Sequence, residues 1–180
     1  MDIGPGSFTG LRIGLAFVKA LAFSTRKMLI VVSSLEVLAA GLPYTTHRVC
    51  PVLDAKQKNV YSALYRLEGE QPIKQSDYFL GPIDEFLGRL DGGPTVFVGD
   101  GCALYRDRIV ARFKENALFA PQELWLPHAA TLARLGAARL AQGQRDDPSQ
   151  LVPLYLYPLD CSVRGPDRPT SVLPKTVQAA

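Results

Sequence analysis

Met1-Asp2-Ile3-Gly4-Pro5-Gly6-Ser7-Phe8-Thr9-Gly10-Leu11-Arg12-Ile13-Gly14 opens the chain and runs straight into an apolar segment that ends near Lys27. The pattern is a glycine-rich loop feeding a helix. Gly4, Gly6 and Gly10 let the backbone turn and approach its neighbours, Pro5 stiffens the turn, and Ser7 or Thr9 can cap the first free N–H groups of the helix. Such a loop can hold an anion or seat a partner; the plain alternative is a tight turn whose glycines serve packing. In the helix, Leu11, Leu15, Val18 and Ala22 make one apolar stripe, while Ile13, Phe17, Ala20 and Leu21 fill much of the remaining circumference. A helix lying on one side of a sheet needs a single stripe, so this one is expected to be covered on both sides, by the rest of the chain or by a second protein.

Outward from this stretch the chain alternates strand and helix signals. Met28 to Val32 reads as a short buried strand of a parallel sheet, and Ser33-Ser34 caps a helix from Leu35 to Leu42 that Pro43 stops. Arg48 to Asp54, Asn59 to Leu67 and Ser76 to Leu80 read as an antiparallel meander. Pro82 then opens a helix over Ile83 to Leu90. Thr95 to Val98 is a buried strand ending in Gly99-Asp100-Gly101, followed by a helix from Cys102 to Phe113. A short extended piece covers Ala117 to Ala120, and an Ala- and Leu-rich helix covers Ala129 to Gln142. The Tyr-rich piece Val152-Pro153-Leu154-Tyr155-Leu156-Tyr157-Pro158 is expected to dock back as an extended edge. Little order is expected beyond about Val163.

With 180 residues, 47% hydrophobic and 21% charged, the composition is that of a folded globular chain with room for one large core or two small lobes. The net charge of +3 carries no basic run longer than Arg26-Lys27, which gives no sign of a dedicated nucleic-acid groove. Cys50, Cys102 and Cys161 are widely spaced and form no CxxC pair, as expected for reduced, buried thiols in a cytoplasmic protein. No secretory leader pattern is read at the N-terminus, and no apolar stretch is read as reaching membrane-spanning length, so no membrane partner is expected.

Residues able to carry chemistry are few. His47 and His128 lie far apart without HxxxH or HExxH spacing, so no metal site is expected. Gly6-Ser7 misses the spacing of a nucleophile elbow, and the opening loop lacks the Lys-Ser/Thr ending of a Walker A loop. Backbone N–H groups at the helix start can still bind an anion, which makes Gly4, Gly6, Ser7, Thr9 and Gly10 candidates. Asp54, at a strand end before a turn, suits a phosphate- or metal-contacting carboxylate, or simply a solvated turn aspartate. Gly99 and Gly101, after a buried strand, suit approach to a nucleotide base or ribose, or an ordinary strand-to-helix turn.

The run Gly4-Pro5-Gly6-Ser7-Phe8-Thr9-Gly10-Leu11-Arg12-Ile13-Gly14, with Leu21-Ala22 and Val32-Ser33-Ser34-Leu35-Glu36, closely resembles the TsaB (YeaZ) family. Pro51-Val52-Leu53-Asp54-Ala55-Lys56, Val60-Tyr61, Val98-Gly99-Asp100-Gly101 and Pro153-Leu154-Tyr155-Leu156 are similar to further segments of that family. The resemblance implies an α/β, two-lobe ASKHA (actin-like ATPase, ribonuclease H-like) fold. It also implies a role in forming N6-threonylcarbamoyladenosine on tRNA, as a non-catalytic scaffold that pairs with the transferase TsaD and is joined by the ATPase TsaE. tRNA is then met only through the complex, and ATP or ADP is a candidate ligand at the complex interface. Leu11, Leu15, Phe17, Val18, Leu21 and Ala22 become the candidate partner interface, with a homodimer through the same helix as a further expectation. Family members carry several strands and a helix before the Gly-Pro-Gly-Ser-Phe-Thr-Gly loop, so a truncated N-terminal lobe is expected. The expected division is a lobe remnant over 1–45, a C-terminal lobe over 46–157 and a disordered tail over 158–180. The rival expectation is a stand-alone nucleotide-dependent enzyme or glycoprotease-like peptidase that uses Ser7, Asp54 or Asp100.

Overall fold

Strand β1, Arg48–Lys56, is the axis of the sheet, and its middle residues are buried on both faces. In the computed structural model, which describes residues 1–42 and 45–157, Val49 of β1 is flanked by Tyr65 of strand β3 (Tyr65–Glu68) and by Val96 of strand β6 (Thr95–Val98). The β1–β6 pairing is parallel, and β6 pairs in parallel with β7, Ala117–Phe119. Further along, β1 pairs antiparallel with β2 (Asn59–Ser62), which pairs with β5 (Phe79–Pro82), while β3 pairs with β4 (Gln71–Lys74). Pro43, Cys161 and the tail from 158 onward lie outside the described residues.

Three strand expectations need correction. The run Asn59 to Leu67 is two strands, because the chain steps out of the ladder at Ala63 and Leu64. Polar partners satisfy the step: the Leu64 amide donates to Ser76 Oγ at 2.9 Å, and its carbonyl accepts from the Gln75 amide at 2.7 Å. The return strand expected over Ser76 to Leu80 lies at Phe79–Pro82, and a further strand, Gln71–Lys74, pairs with β3 ahead of it. Met28 to Val32 forms no extended strand; it makes single bridges, Val32 with Asp2 and Leu29 with Asp146, and the Val32 amide and carbonyl bond to Met1 and Ile3.

Period-two alternation sorts β1 onto two cores. Cys50 and Val52 pack with Phe97 against helices α3 (Ile83–Gly88) and α4 (Gly101–Phe113), through Phe86, Leu87, Cys102, Ile109 and Phe113. Val49 and Leu53 point the other way, onto Leu35, Leu38 and Ala39 of helix α2, Ser34–Ala40. α2 is a short helix set by a capping box: Ser33 Oγ accepts from the Glu36 amide at 3.1 Å, and the Glu36 carboxylate accepts from the Ser33 amide. Its other side, Val37 and Ala40, meets Ile30, Val32 and Leu135 of helix α5, Ala129–Ala141. Arg139 of α5 fastens this junction by donating to the Val31 carbonyl at 2.8 Å and pairing with Glu36.

Helix α1, Phe8–Thr25, begins where the sequence places it, with Ser7 as N-cap accepting from the Gly10 amide. Its 18 residues are apolar and long enough, by length and composition alone, to cross a membrane, contrary to the expectation that no stretch would be. Its two interior cations are tied into the fold instead, as described next.

Candidate functional site

Only Leu15 and Ala22 of α1 are buried, with Leu11 and Val18 half-buried, so the stripe read from the sequence is the face this chain covers itself. Leu15, 5% exposed, and Ala22 are thereby unavailable to a partner and leave the candidate interface. Phe17 (68% exposed) and Leu21 remain, joined one turn earlier by Ile13 and, near the helix end, by Phe23 (88% exposed). Ile13, Phe17 and Leu21 recur every four residues and so share one outward face. The expectation of cover on both sides is met on one side only by the described residues of this chain. Ile13 and Phe23 were legible as part of the all-round apolarity, but nothing local says which stripe turns inward.

The glycine loop is held from below. The Asp2 carboxylate accepts from the Gly4 amide at 2.7 Å and from Ser34 Oγ at 2.8 Å, and the Ser34 amide donates to the Gly4 carbonyl at 2.8 Å. Gly4 has φ +102° and precedes a cis proline. A Cβ there would meet the end of the Leu11 side chain, which can move aside, so it is the φ that calls for glycine here. Ser7 is occupied as the cap, whereas Gly6, Thr9 and Gly10 are exposed or open around the helix start.

Asp54, Gly99 and Gly101 do come together, at the C-terminal ends of the adjacent parallel strands β1 and β6, where α/β sheets commonly place ligands. The Asp54 amide donates to Asp100 Oδ1 at 3.0 Å. Both Asp54 oxygens are engaged within its own turn, Oδ1 by the Lys56 amide at 2.9 Å and Oδ2 by Lys56 Nζ at 2.6 Å. Partial burial raises the Asp54 pKa, but the two Lys56 hydrogen bonds outweigh it and hold the carboxyl below its ordinary value. Gly99, at φ +120°, and Gly101 abut the Val52 backbone, and a Cβ on Gly101 would lie 2.9 Å from the Val52 carbonyl oxygen. Close strand packing therefore accounts for both glycines without a ligand. Among the described residues no hydrogen bond joins this group to the Gly4–Gly10 loop.

Residues 151–157 run between the two groups. The Leu154 amide donates to the Ile3 carbonyl at 2.8 Å, Arg12 Nε donates to Tyr155 Oη at 2.9 Å, and Lys19 Nζ donates to the Leu151 carbonyl at 2.8 Å. Tyr155 also packs on Phe8, with ring centroids 5.3 Å apart. Tyr157 Oη donates to the Ala55 carbonyl at 3.1 Å and accepts from Asn59 Nδ2 at 3.2 Å. Its ring meets Tyr61 edge-on, and burial together with that neighbour pushes the Tyr61 phenol up to about 12. The segment docks as expected, but by side chains and one backbone bond rather than as a strand.

Neither histidine is placed for chemistry. His128 starts α5 with its ring Nε2 3.0 Å from the Glu123 carbonyl, and His47 is exposed. Among the described residues no group of three or more His, Cys, Asp or Glu side chains gathers where a metal could sit.

The sequence profile of the family described as "TsaD: tRNA N6-adenosine threonylcarbamoyltransferase" matches residues 3–159. The chain is 33% identical over 156 residues to a protein of Bacillus subtilis (strain 168) named tRNA threonylcarbamoyladenosine biosynthesis protein TsaB, covering 85% of this chain and 66% of that one. A protein of the same name from Escherichia coli (strain K12) is 31% identical over 160 residues, covering 85% and 67%. The chain thus spans about two thirds of the length of these curated relatives. A crystal structure from Pseudomonas aeruginosa, titled as an uncharacterized protein with similarity to peptidase YEAZ, superposes with a TM-score of 0.74 at 29% identity, over 87% of this chain and 71% of that one. Another, titled YeaZ from Pseudomonas aeruginosa, gives 0.72 at 28% identity, over 86% and 72%.

Proposed function

The chain belongs to the TsaB (YeaZ) family, and from that premise we propose that it serves tRNA threonylcarbamoyladenosine biosynthesis as a non-catalytic partner subunit that docks a TsaD-like transferase through the outward face of α1. The observation that carries this reading is the row Ile13, Phe17 and Leu21, three large apolar side chains exposed one turn apart on a helix whose opposite stripe is already covered. A face of that kind gains by burial against another apolar surface. The fold is the ASKHA-like α/β fold of the family, with helices on both faces of the sheet.

In the same reading the TsaE-like ATPase joins through the assembly, tRNA is met through the transferase, and the setting is the cytoplasm. ATP or ADP at the complex interface would meet the exposed backbone around Gly6 and Thr9 rather than the Gly10 amide, which Ser7 already takes, or the Asp54 carboxylate, whose oxygens Lys56 already occupies. The stand-alone enzyme draws no support from the residues it would use: Ser7 caps α1, Asp54 fastens its turn, and Asp100 accepts from the Asp54 amide.

Size-exclusion chromatography with light scattering, on the full chain alone and mixed with a TsaD-like transferase, tests the proposal. A co-eluting complex that Phe17→Glu abolishes, in a variant that remains folded, is the expected result. A folded Phe17→Glu that co-elutes like the wild type overturns the assignment of this face. A chain that self-associates through α1 without binding the transferase makes the face a homodimer contact instead.

A further inference from the structure

We infer that residues 151–157 act as a latch that sets the position of α1 and couples it to the β1–β2 turn; the consequence for partner docking rests on the function proposed above. α1 is poorly held by the core, since only two of its residues are buried. It is also intrinsically marginal, with Gly10 and Gly14 in its first half, no acidic residue in its first turn and no basic residue in its last. Its long polar side chains compensate on one edge. Phe8, Arg12 and Lys19, spaced by four and seven residues, share that edge, and all three engage Tyr155 or the Leu151 carbonyl. That edge lies away from the row Ile13, Phe17 and Leu21, so the segment secures the helix while leaving its outward face open.

The other end of the segment grips a strained turn. Lys56, Gln57 and Lys58 have φ of 64°, 51° and 65°, three successive left-handed residues without a glycine. Tyr157 Oη braces this turn from both sides, donating to the carbonyl of Ala55 before it and accepting from the side chain of Asn59 after it. Tyr157 and Tyr155 stand two residues apart on one extended piece that Leu154 pins to Ile3. A change in the turn that releases Tyr157 therefore loosens Tyr155, and with it the edge of α1. The device has two arrangements, segment docked with α1 fixed and segment released with α1 free, and both ends bias the same equilibrium.

Hydrogen–deuterium exchange with mass spectrometry on the full chain tests this, comparing wild type with Tyr155→Phe and Tyr157→Phe, changes that remove only hydroxyls. Each lost hydrogen-bonded hydroxyl is expected to speed exchange across residues 8–25 by about three- to tenfold, with β6 and α4 unchanged. The diagnostic result is the Tyr157 variant, because its hydroxyl bonds only to the β1–β2 hairpin and makes no hydrogen bond to α1 among the described residues. Faster exchange confined to residues 55–59 in that variant, or no change in α1 in either, overturns the latch. Transferase binding measured on the same samples separates the two readings. Faster α1 exchange in both variants, with a wild type that never binds the transferase, supports the latch and defeats the docking face; binding with α1 exchange unaltered in both variants does the reverse.

Discussion

Leu15 and Phe17 stand two positions apart on α1, and truncating each should break a different property. Phe17 is 68% exposed. Taking about 200 Å² for the ring and its methylene, roughly 135 Å² remains for a partner to cover, worth about 3 kcal/mol at about 25 cal/mol per Å². Phe17→Ala should therefore weaken transferase binding by about two orders of magnitude while shifting the unfolding free energy by less than about 0.5 kcal/mol. Leu15 is 5% exposed, and Leu15→Ala should cost about 2–5 kcal/mol of stability through lost burial and a cavity. The direct contribution of Leu15 to the interface should be nil. Urea denaturation followed by circular dichroism, with calorimetric titration against the transferase, reads both quantities. A folded Phe17→Ala that binds within about threefold of wild type, or a Leu15→Ala that loses binding with unaltered stability, refutes the assignment of faces.

Gly99→Ala should be among the most damaging single changes, because the new Cβ meets the Val52 backbone at a φ of +120°; a loss above about 3 kcal/mol is expected in the same denaturation assay, and a loss under about 1 kcal/mol would contradict the packing account of this glycine. The Asp91 carboxyl, held down to about 2 by its hydrogen bond to Arg48 and by the Gly93 amide, should titrate by NMR well below the ordinary value, and Arg48→Met should move its midpoint up towards 3.8. Because its folded pKa is depressed, the stabilisation it gives is complete above pH 3.8 and fades as the pH falls towards 2; an unmoved midpoint in the variant would show that Arg48 is not the cause. Cys50, pushed up to about 12 by burial, and Cys102, also raised by burial, should resist iodoacetamide at pH 8 in the native chain and react on unfolding, as read by peptide mass spectrometry.

Local chemistry announces much of the fold. Ser33 with Glu36 marks the start of α2, Pro82 the start of α3, and Thr95–Val98 is the strand its β-branched run predicts. The split of Asn59 to Leu67 was not legible, because alternation continues through Ala63 and Leu64, and the break depends on Ser76 and Gln75 arriving from a distant segment. Asp54, Gly99 and Gly101 were each legible as strand-end residues, but that they meet depends on the parallel pairing of β1 with β6. Their meaning changed once Lys56 was seen on the carboxylate and Val52 against both glycines.

The opening motif by itself carried the resemblance to the family, and local patterning carried most of the helices, the strands β1 and β6, and the presence of a helix that is apolar nearly all round. A sequence records how many apolar stripes a helix carries, since that follows from a fixed 3.6-residue period. It does not record which stripe turns inward, because that depends on contacts between residues far apart in the chain. Only the tertiary structure decided that Leu15 and Ala22 face the body, that Ile13, Phe17 and Leu21 face out, and that Tyr155 and Tyr157 tie the helix to a turn about thirty residues beyond its end in sequence.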